Sequence, residues 1–524
     1  MDDPAVTQKF KALLLCAAGL VVAIFIGWNI GSGDYWPLAL CAGVFGGVFI
    51  AFFLGRFFWV LTIASSFLTG AIPILGGQIT VFEILMAFGI AKFFVEDIVL
   101  RRAHFRLGNR FDLFLIAGFM AIITVHAVHD RFGSRFLGST VWGGHNYVAV
   151  YVGLAAYFVI QSIPMQSRVW AKLPYVVLAV TMFDLLIAVI TTIYPSLIFK
   201  IYPFYSGVSV AGVEEALTGE SITGRNIPFA YFGLILILLV LASVSLRQIF
   251  NPRNLLRWIG LMAGFVAILF SGFRSMVLST VIGFLAAGIR DFKYAVVLFL
   301  PFFAFVLFAL SFINSDVVRL PKQMQRGLAF LPGKWDTDMA KDAAESTDFR
   351  LETWSLWMHD YFPKYPWLGR GFGFSREWAK PNALNPKGLD YRAIVEVQNI
   401  HNGLFAAVDT FGIVGTIFFV IWNLRILART FRVSFQGNDA SGLTLRFLAL
   451  YLAVWIGSYW WGALHVGMFL PQEFALAGVL FGLQEAIAPA PARSGPVHAK
   501  VGLARGSLRG LRLGGPKELG RSKT

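Results

Sequence analysis

The sequence predicts an all-α polytopic membrane protein with about 12–14 transmembrane helices and a large, partly helical periplasmic loop. Three observations carry this. First, 57% of the 524 residues are hydrophobic and only 14% are charged, with a mean hydropathy of +0.68. A soluble domain averages about 45–50% apolar and about 25% charged, so the excess rules out a soluble enzyme, a fibrous protein and a disordered chain. Second, the apolar residues fall in continuous runs such as Ala12–Trp28 and Tyr294–Ile313. Strands of a membrane barrel alternate apolar and polar residues instead. Third, lysine and arginine are sorted between alternate loops, as the positive-inside rule requires.

The runs place spans at 12–28, 35–54, 57–74, 78–96, 111–129, 146–165, 173–194, 227–246, 257–272, 275–290, 294–313, 403–424, 445–464 and 467–486. Lys9 and Lys11 precede the first run as in a signal peptide. That run is long enough to span and lacks a small-residue cleavage site, so it reads as an uncleaved helix. Cys16 and Cys41 lie inside the first two spans and read as small core residues, with no disulfide or zinc spacing. Gly70 and Pro73 shorten the third span. The ninth and tenth form a tight hairpin around Arg274, and the last three follow a long polar stretch.

One set of short loops holds fourteen Lys and Arg residues, among them Arg101, Arg102, Arg106, Arg110, Arg425, Arg429 and Arg432. The opposite set holds five: Arg131, Arg135, Lys200, Arg225 and Arg274. The first set is therefore expected in the cytoplasm, with both termini. The chain divides into transmembrane helices 1–11 over 1–313, an extracytoplasmic loop over 314–402, helices 12–14 over 403–486, and a basic, disordered cytoplasmic tail over 487–524. From Arg493 on, that tail has eight basic residues and one acid, which suits anionic lipid headgroups rather than nucleic acid. The expected location is the bacterial cytoplasmic (inner) membrane.

The loop 314–402 carries eleven of the 29 acidic residues and five tryptophans, Trp335, Trp354, Trp357, Trp367 and Trp378. Loops this long are usually functional. Flat rings amid mixed charge suit carbohydrate. The same rings could equally build a small core for the loop or sit at the membrane interface.

At the outer boundary, Arg274 stands in Phe270-Ser-Gly-Phe-Arg-Ser-Met-Val-Leu278. An arginine there needs an anion or a water-filled cavity, and its fork fits two phosphate oxygens. Snorkelling to lipid headgroups is the plainer role. His401 and Asn402 open an apolar helix, where an imidazole can accept a proton from a hydroxyl. His145-Asn146 also precedes an inward run, so position alone does not choose between His401 and His145 as a base. Asp336-Thr-Asp338 is a weak metal pattern in a solvated stretch, and His126 with His129 lacks a third ligand. Gly369-Arg-Gly-Phe-Gly373 has no preceding strand and is no dinucleotide fingerprint, although it lets a loop approach something closely. Within the spans the acids noted are Glu83, Asp184 and Asp409, and Asp184, at mid-span, requires a partner.

Three pieces resemble the O-antigen ligase and Wzy-type polymerase superfamily. They are Ser271-Gly-Phe-Arg274-Ser275; Arg350-Leu-Glu-Thr-Trp354 followed by Pro366-Trp-Leu-Gly-Arg-Gly-Phe-Gly373; and His401-Asn402 leading to Gly412-Ile-Val-Gly415. Gly-Phe stands before Arg274 where the family usually has a second serine. The resemblance implies a GT-C-like fold and a metal-independent, inverting glycosyltransferase without cofactors. The donor would be a glycan on undecaprenyl diphosphate, and the acceptor a hydroxyl of a glycan, a lipid A-core or another molecule. Carried over by position, Arg274 and Arg350 would bind the diphosphate and His401 would deprotonate the acceptor. Arg225, Asn402, Trp354 and Arg370 are further candidate substrate contacts. The alternatives are a transporter or flippase for lipid-linked oligosaccharide, and a protein O-oligosaccharyltransferase.

Overall fold

A computed structural model describes residues 36–74, 77–96, 105–133, 141–165, 167–202, 204–207, 226–249, 251–292, 319–375, 391–433, 440–462 and 465–487, with isolated positions between them. Most of the first and eleventh expected spans, together with Arg225, Trp378 and the basic tail after Ile487, lies outside the described residues. The chain is an all-α polytopic membrane protein. Among the described residues, six helices are long and apolar enough to cross a membrane: Arg110–His129, Arg168–Ile193, Arg274–Phe292, Gly403–Arg432, Gly442–Trp461 and Val466–Ala486. Two more, Ile227–Ser243 and Leu255–Phe270, are apolar but shorter.

In chain order, α1 is Trp36–Phe53 and α2 is Phe57–Ser65. A hairpin of β1 (Ala71–Ile74) and β2 (Gly77–Thr80) leads to α3, Val81–Phe94. The apolar run 57–74, expected as one span, is thus a nine-residue helix and half a hairpin. Thr80 starts α3 with a reciprocal cap: its hydroxyl accepts from the Glu83 N–H, and Glu83 accepts from the Thr80 N–H at 2.7 Å. Next come α4 (Arg110–His129), a short strand β3 (Val141–Trp142), α5 (Gly144–Ser162), α6 (Leu173–Ile193) and α7 (Ile227–Ser243). The tight pair α8 (Leu255–Phe270) and α9 (Arg274–Phe292) follows. The large loop holds α10 (Lys322–Leu328), α11 (Thr337–Leu356, extended by a π turn to Tyr361), β4 (Phe374–Ser375) and α12 (Tyr391–Glu396). The last helices are α13 (Gly403–Val433), α14 (Ala440–Trp461) and α15 (Val466–Ile487).

The core lies where α13, α14 and α15 meet α4 and α5. Phe419, Tyr459 and Phe469 interlock there, with the Tyr459 and Phe469 rings 4.2 Å apart. Aromatic packing of this kind suits a bundle in which lipid, being as apolar as the side chains, offers little hydrophobic drive. Charges mark the ends. Asp112, buried at the start of α4, takes Arg425 and Arg429 from the far half of α13. Asp184 in α6 does have partners: the Thr69 N–H and hydroxyl at 2.7 and 2.9 Å, and the Tyr205 hydroxyl. The sequence reading overlooked a further acid. Glu473 in α15 is fully buried, and neither of its oxygens has a hydrogen-bond partner among the described residues. One acid in an otherwise continuous apolar run barely disturbs a hydropathy pattern.

Candidate functional site

The site region forms where a loop plugs a break in a helix. Within α13, Gly412 has φ +65° and ψ −177°, so the helix is interrupted there. The groups this frees bond to the loop 366–371. Asp409 and Thr410 carbonyls accept from the N–H groups of Arg370 (2.8 Å) and Gly371 (3.2 Å). In return the Ile413 and Val414 N–H groups donate to the carbonyls of Pro366 (2.8 Å) and Trp367 (3.2 Å). Buried backbone groups must be paired, above all at membrane depth, and this exchange pairs them. Contact is so close that a Cβ on Gly412 would stand 2.1 Å from the Trp367 backbone. Only glycine supplies both the space and the φ. The Gly369-Arg-Gly motif serves this docking: Gly369 and Gly371 have φ of +69° and +68°.

Arg370 seals the junction. Its Nε donates to both oxygens of Asp409 at 3.0 and 2.9 Å, and its Nη1 to Glu396 at 3.0 Å. Its Nη2 donates to the Val395 carbonyl, and its plane lies 5.0 Å from the Tyr361 ring. The Trp357 indole N–H adds a third bond to Asp409 at 2.9 Å. The Tyr361 hydroxyl donates to Glu396, and burial first, then that carboxylate, pushes its pKa well up. Arg370 is therefore woven into the fold.

Next to the junction is the turn 397–402. Gln398 and His401 both adopt left-handed backbone, with φ of 63° and 55°, a conformation that costs a non-glycine residue energy. Three side chains hold it. Trp354 donates its indole N–H to the Ile400 carbonyl at 2.9 Å. The Asn402 side chain caps α13, accepting from Leu404 and Phe405 at 3.0 and 3.2 Å. His465, just before α15, pairs its Nε2 with the Gln398 amide oxygen at 3.2 Å, while its Nδ1 accepts from the Gly467 N–H at 3.1 Å. That bonding selects the Nε2–H tautomer. Burial, reinforced by the Arg370 charge, pushes the His465 pKa down to about 4. The Gln398 amide donates onward to the Gly371 carbonyl, tying the turn to the docked loop. The His401 ring lies edge to face against Phe349, 5.6 Å between centroids.

Phe349 belongs to α11, and that helix links the turn to Arg274. Asp342, seven residues earlier, is on the same face, about 10 Å along the axis. Arg274 approaches Asp342 at 3.5 Å and donates to the carbonyls of Arg326 and Ala343 at 3.4 and 3.3 Å. Arg326, from α10, pairs with Asp342 at 2.9 Å. Arg350 is exposed, and its charge and that of Arg326 both act on Arg274. Arg274, Arg350 and His401 are thus strung along one helix. Trp354 and Asn402 support the histidine turn, and Trp354 packs on Phe405 in the loop's own small core with Trp357.

The rival histidine has a different setting. His145 opens α5 and pairs with Glu83 at 3.1 Å. It lines a recess of about 370 Å³ with Trp142, Gly143, Asn146 and Phe374. The β3–β4 pairing, Trp142 opposite Phe374, connects this recess to the docked loop. His126 bonds the Leu368 carbonyl at 3.0 Å, and Asp336 and Asp338 open α11, where a helix N-terminus favours acids. Sequence reasoning missed Arg326, Asp342, Gln398 and His465. His465 had a visible signal, a histidine in the short turn between the last two spans. Arg326 and Asp342 had none beyond their charge.

No curated protein matches the sequence with significance. Residues 259–420, which run from α8 through the large loop to the break in α13, match the O-antigen ligase family. That segment, about a third of the chain, is similar to the O-antigen ligase family and holds the residues that carry the O-antigen ligase/Wzy resemblance.

Proposed function

We propose that this protein transfers or polymerises glycans from undecaprenyl diphosphate onto an acceptor hydroxyl at the outer face of the cytoplasmic membrane. The observation that carries the reading is the single helix α11, which meets Arg274 at one end and the His401 turn about 10 Å further along. That is the span of a sugar with a diphosphate attached. Arg274 and Arg350 bind the diphosphate. His401 takes the proton of the acceptor hydroxyl, whose oxygen then attacks the anomeric carbon from the side opposite the leaving group. The sugar–phosphate bond breaks with inversion, and its electron pair leaves on undecaprenyl diphosphate. Fixed guanidiniums stabilise that developing charge, and removing one such contact costs about 2.7–4 kcal/mol if it resembles loss of an oxyanion donor. No metal is required for this chemistry.

Arg370 and Asn402 act in this reading by holding the loop and the histidine turn. Trp354 does the same, supporting Ile400 from beneath. Arg225, outside the described residues, remains a candidate for the anion, since its neighbour Asn226 donates to the Ser271 carbonyl at 3.0 Å. The loop 314–402 then faces the periplasm, and both termini and the basic tail 487–524 face the cytoplasm. Lipid A-core or a growing glycan is the acceptor.

Expression of Arg274→Ala, Arg350→Ala and His401→Ala in a deletion strain tests the assignment. Each variant should lose product by about 10²–10³-fold, and full product from all three would refute it. The deletion itself separates the versions. Loss of a ligase leaves long lipid-linked chains, loss of a polymerase leaves single repeat units, and loss of a protein O-oligosaccharyltransferase removes glycoprotein.

A further inference from the structure

The loop that plugs the break in α13 ends in a tip, residues 365–368, whose side chains point away from the protein. Trp367 is 66% exposed, Leu368 51% and Tyr365 46%, three large rings or chains within four residues. We propose that this tip is seated in the bilayer, with Trp367 and Leu368 among the acyl chains of the leaflet on the loop's side. The large loop is then a re-entrant element at this point, and its partner is lipid.

Two helices measure the depth independently. Arg110–His129 has 20 residues, a length of about 30 Å, which matches the hydrocarbon core of a bilayer. Its first turn holds Asp112, the partner of Arg425 and Arg429, so both helices share one charged end. His126 lies three residues short of the other end and bonds the Leu368 carbonyl at 3.0 Å. That places Leu368 about 5 Å inside the core. On α13, the break at Gly412 is thirteen residues from Arg425, about 20 Å, which leaves about 10 Å of a 30 Å core above it. The tip docks on that break, so both rulers put it below the membrane surface.

The backbone meets the condition that hydrocarbon imposes. All four carbonyls of the tip are paired. Those of Pro366 and Trp367 accept from Ile413 and Val414, that of Tyr365 accepts from the Gly369 N–H at 3.2 Å, and that of Leu368 accepts from His126. A non-helical segment survives at membrane depth only when protein satisfies its polar groups. The tip also continues a lipid-facing surface. Val414, which donates to the Trp367 carbonyl, heads an exposed apolar stripe through Ile417, Ile421 and Leu424 on a spanning helix. Lys364, exposed beside the tip and 5.6 Å from the Tyr361 ring, is long enough to reach headgroups from there.

Nitroxide labels in proteoliposomes test this, on the full chain with Cys16 and Cys41 replaced. Labels go on Trp367→Cys, Leu368→Cys, the lipid-stripe position Ile417→Cys and the loop position Lys341→Cys, whose side chain is 76% exposed. Collisions with molecular oxygen, which enters lipid, are compared with collisions with a water-soluble nickel chelate, which does not. The oxygen-to-nickel ratio at 367 and 368 should follow Ile417 and exceed that at Lys341 by at least about tenfold, because a polar chelate is excluded from hydrocarbon. Nickel access at either tip position equal to that at Lys341 would make the tip a water-exposed loop and overturn the proposal. Exclusion of both reagents would mean that protein, such as a second copy of the chain, covers the tip, and would overturn it too. L368C keeps the tryptophan, so a folding defect in W367C leaves the test standing.

Discussion

Arg370 and Asp409 show how one pair of residues can fix a large loop onto a membrane helix. Asp409 is 4% exposed, and its two oxygens are taken by Arg370 and Trp357. Removing one partner of a buried pair strands the other charge, which typically costs about 3–5 kcal/mol. Arg370→Ala should therefore lower the thermal midpoint in detergent sharply, whereas Arg370→Ala with Asp409→Leu should recover much of the loss. A double variant as unstable as the single one would contradict this account of the pair. His465 makes a second residue-level prediction. Its pKa is about 4 in the folded chain against about 6.5 in an unfolded one. Between those values the unfolded chain binds more protons, so the stability His465 contributes is intact above about 6.5 and drains as pH falls towards 4. The full effect is roughly 3 kcal/mol. His465→Gln should flatten the fall in melting temperature between pH 7 and pH 4.5, and an unchanged slope would remove His465 as its source. The sequence revealed the residue types here but not their pairing. Asp409 read as an isolated intramembrane acid because its partner lies 39 positions away in a loop whose path no periodicity reveals.

At the scale of elements, the break in α13 is the feature that organises the site. Gly412 could not be read as a break, since an apolar run with one glycine fits an unbroken helix as well. Its positive φ and the loop seated on it are visible only in three dimensions. Gly412→Ala should cost more than the roughly 1 kcal/mol a glycine-to-alanine change at positive φ usually does, because the added Cβ also meets the Trp367 backbone. The loss should appear both in thermal stability and in the protease sensitivity of the loop 366–373. A Gly412→Ala protein with wild-type melting and protection would mean the loop does not depend on that contact. The hairpin at 71–80 makes the same point in reverse. Hydropathy joined it to a span, yet Pro73 lacks an N–H and the Thr80–Glu83 cap starts a fresh helix. Trp354 was readable as either a sugar platform or a core residue, and its bond to Ile400 and edge-to-face contact with Phe405 favour the second.

For the whole molecule, composition alone established the class, because 57% hydrophobic residues cannot be housed in a soluble fold. The residues that match the family, 259–420, include the whole of α11 and both ends of the candidate site. What stayed illegible was the convergence of Arg274, Arg326, Asp342 and the His401 turn on that helix, since α10 and α11 have no hydrophobic pattern long enough to fix their direction. Sidedness is a prediction at this scale. With Cys16 and Cys41 replaced, a cysteine at exposed Ser355 should react with an impermeant maleimide added from the periplasm, and one at Arg253 only after the inner face is opened. The reverse pattern would invert the topology. The central claim is tested most directly in proteoliposomes holding the purified protein, a glycan on undecaprenyl diphosphate and a hydroxyl acceptor, with released undecaprenyl diphosphate as the readout. The wild-type protein should release it, and Arg350→Ala and His401→Ala should each release about 10²–10³-fold less. Movement of intact lipid-linked glycan with no bond cleavage, or full release by both variants, would contradict the account.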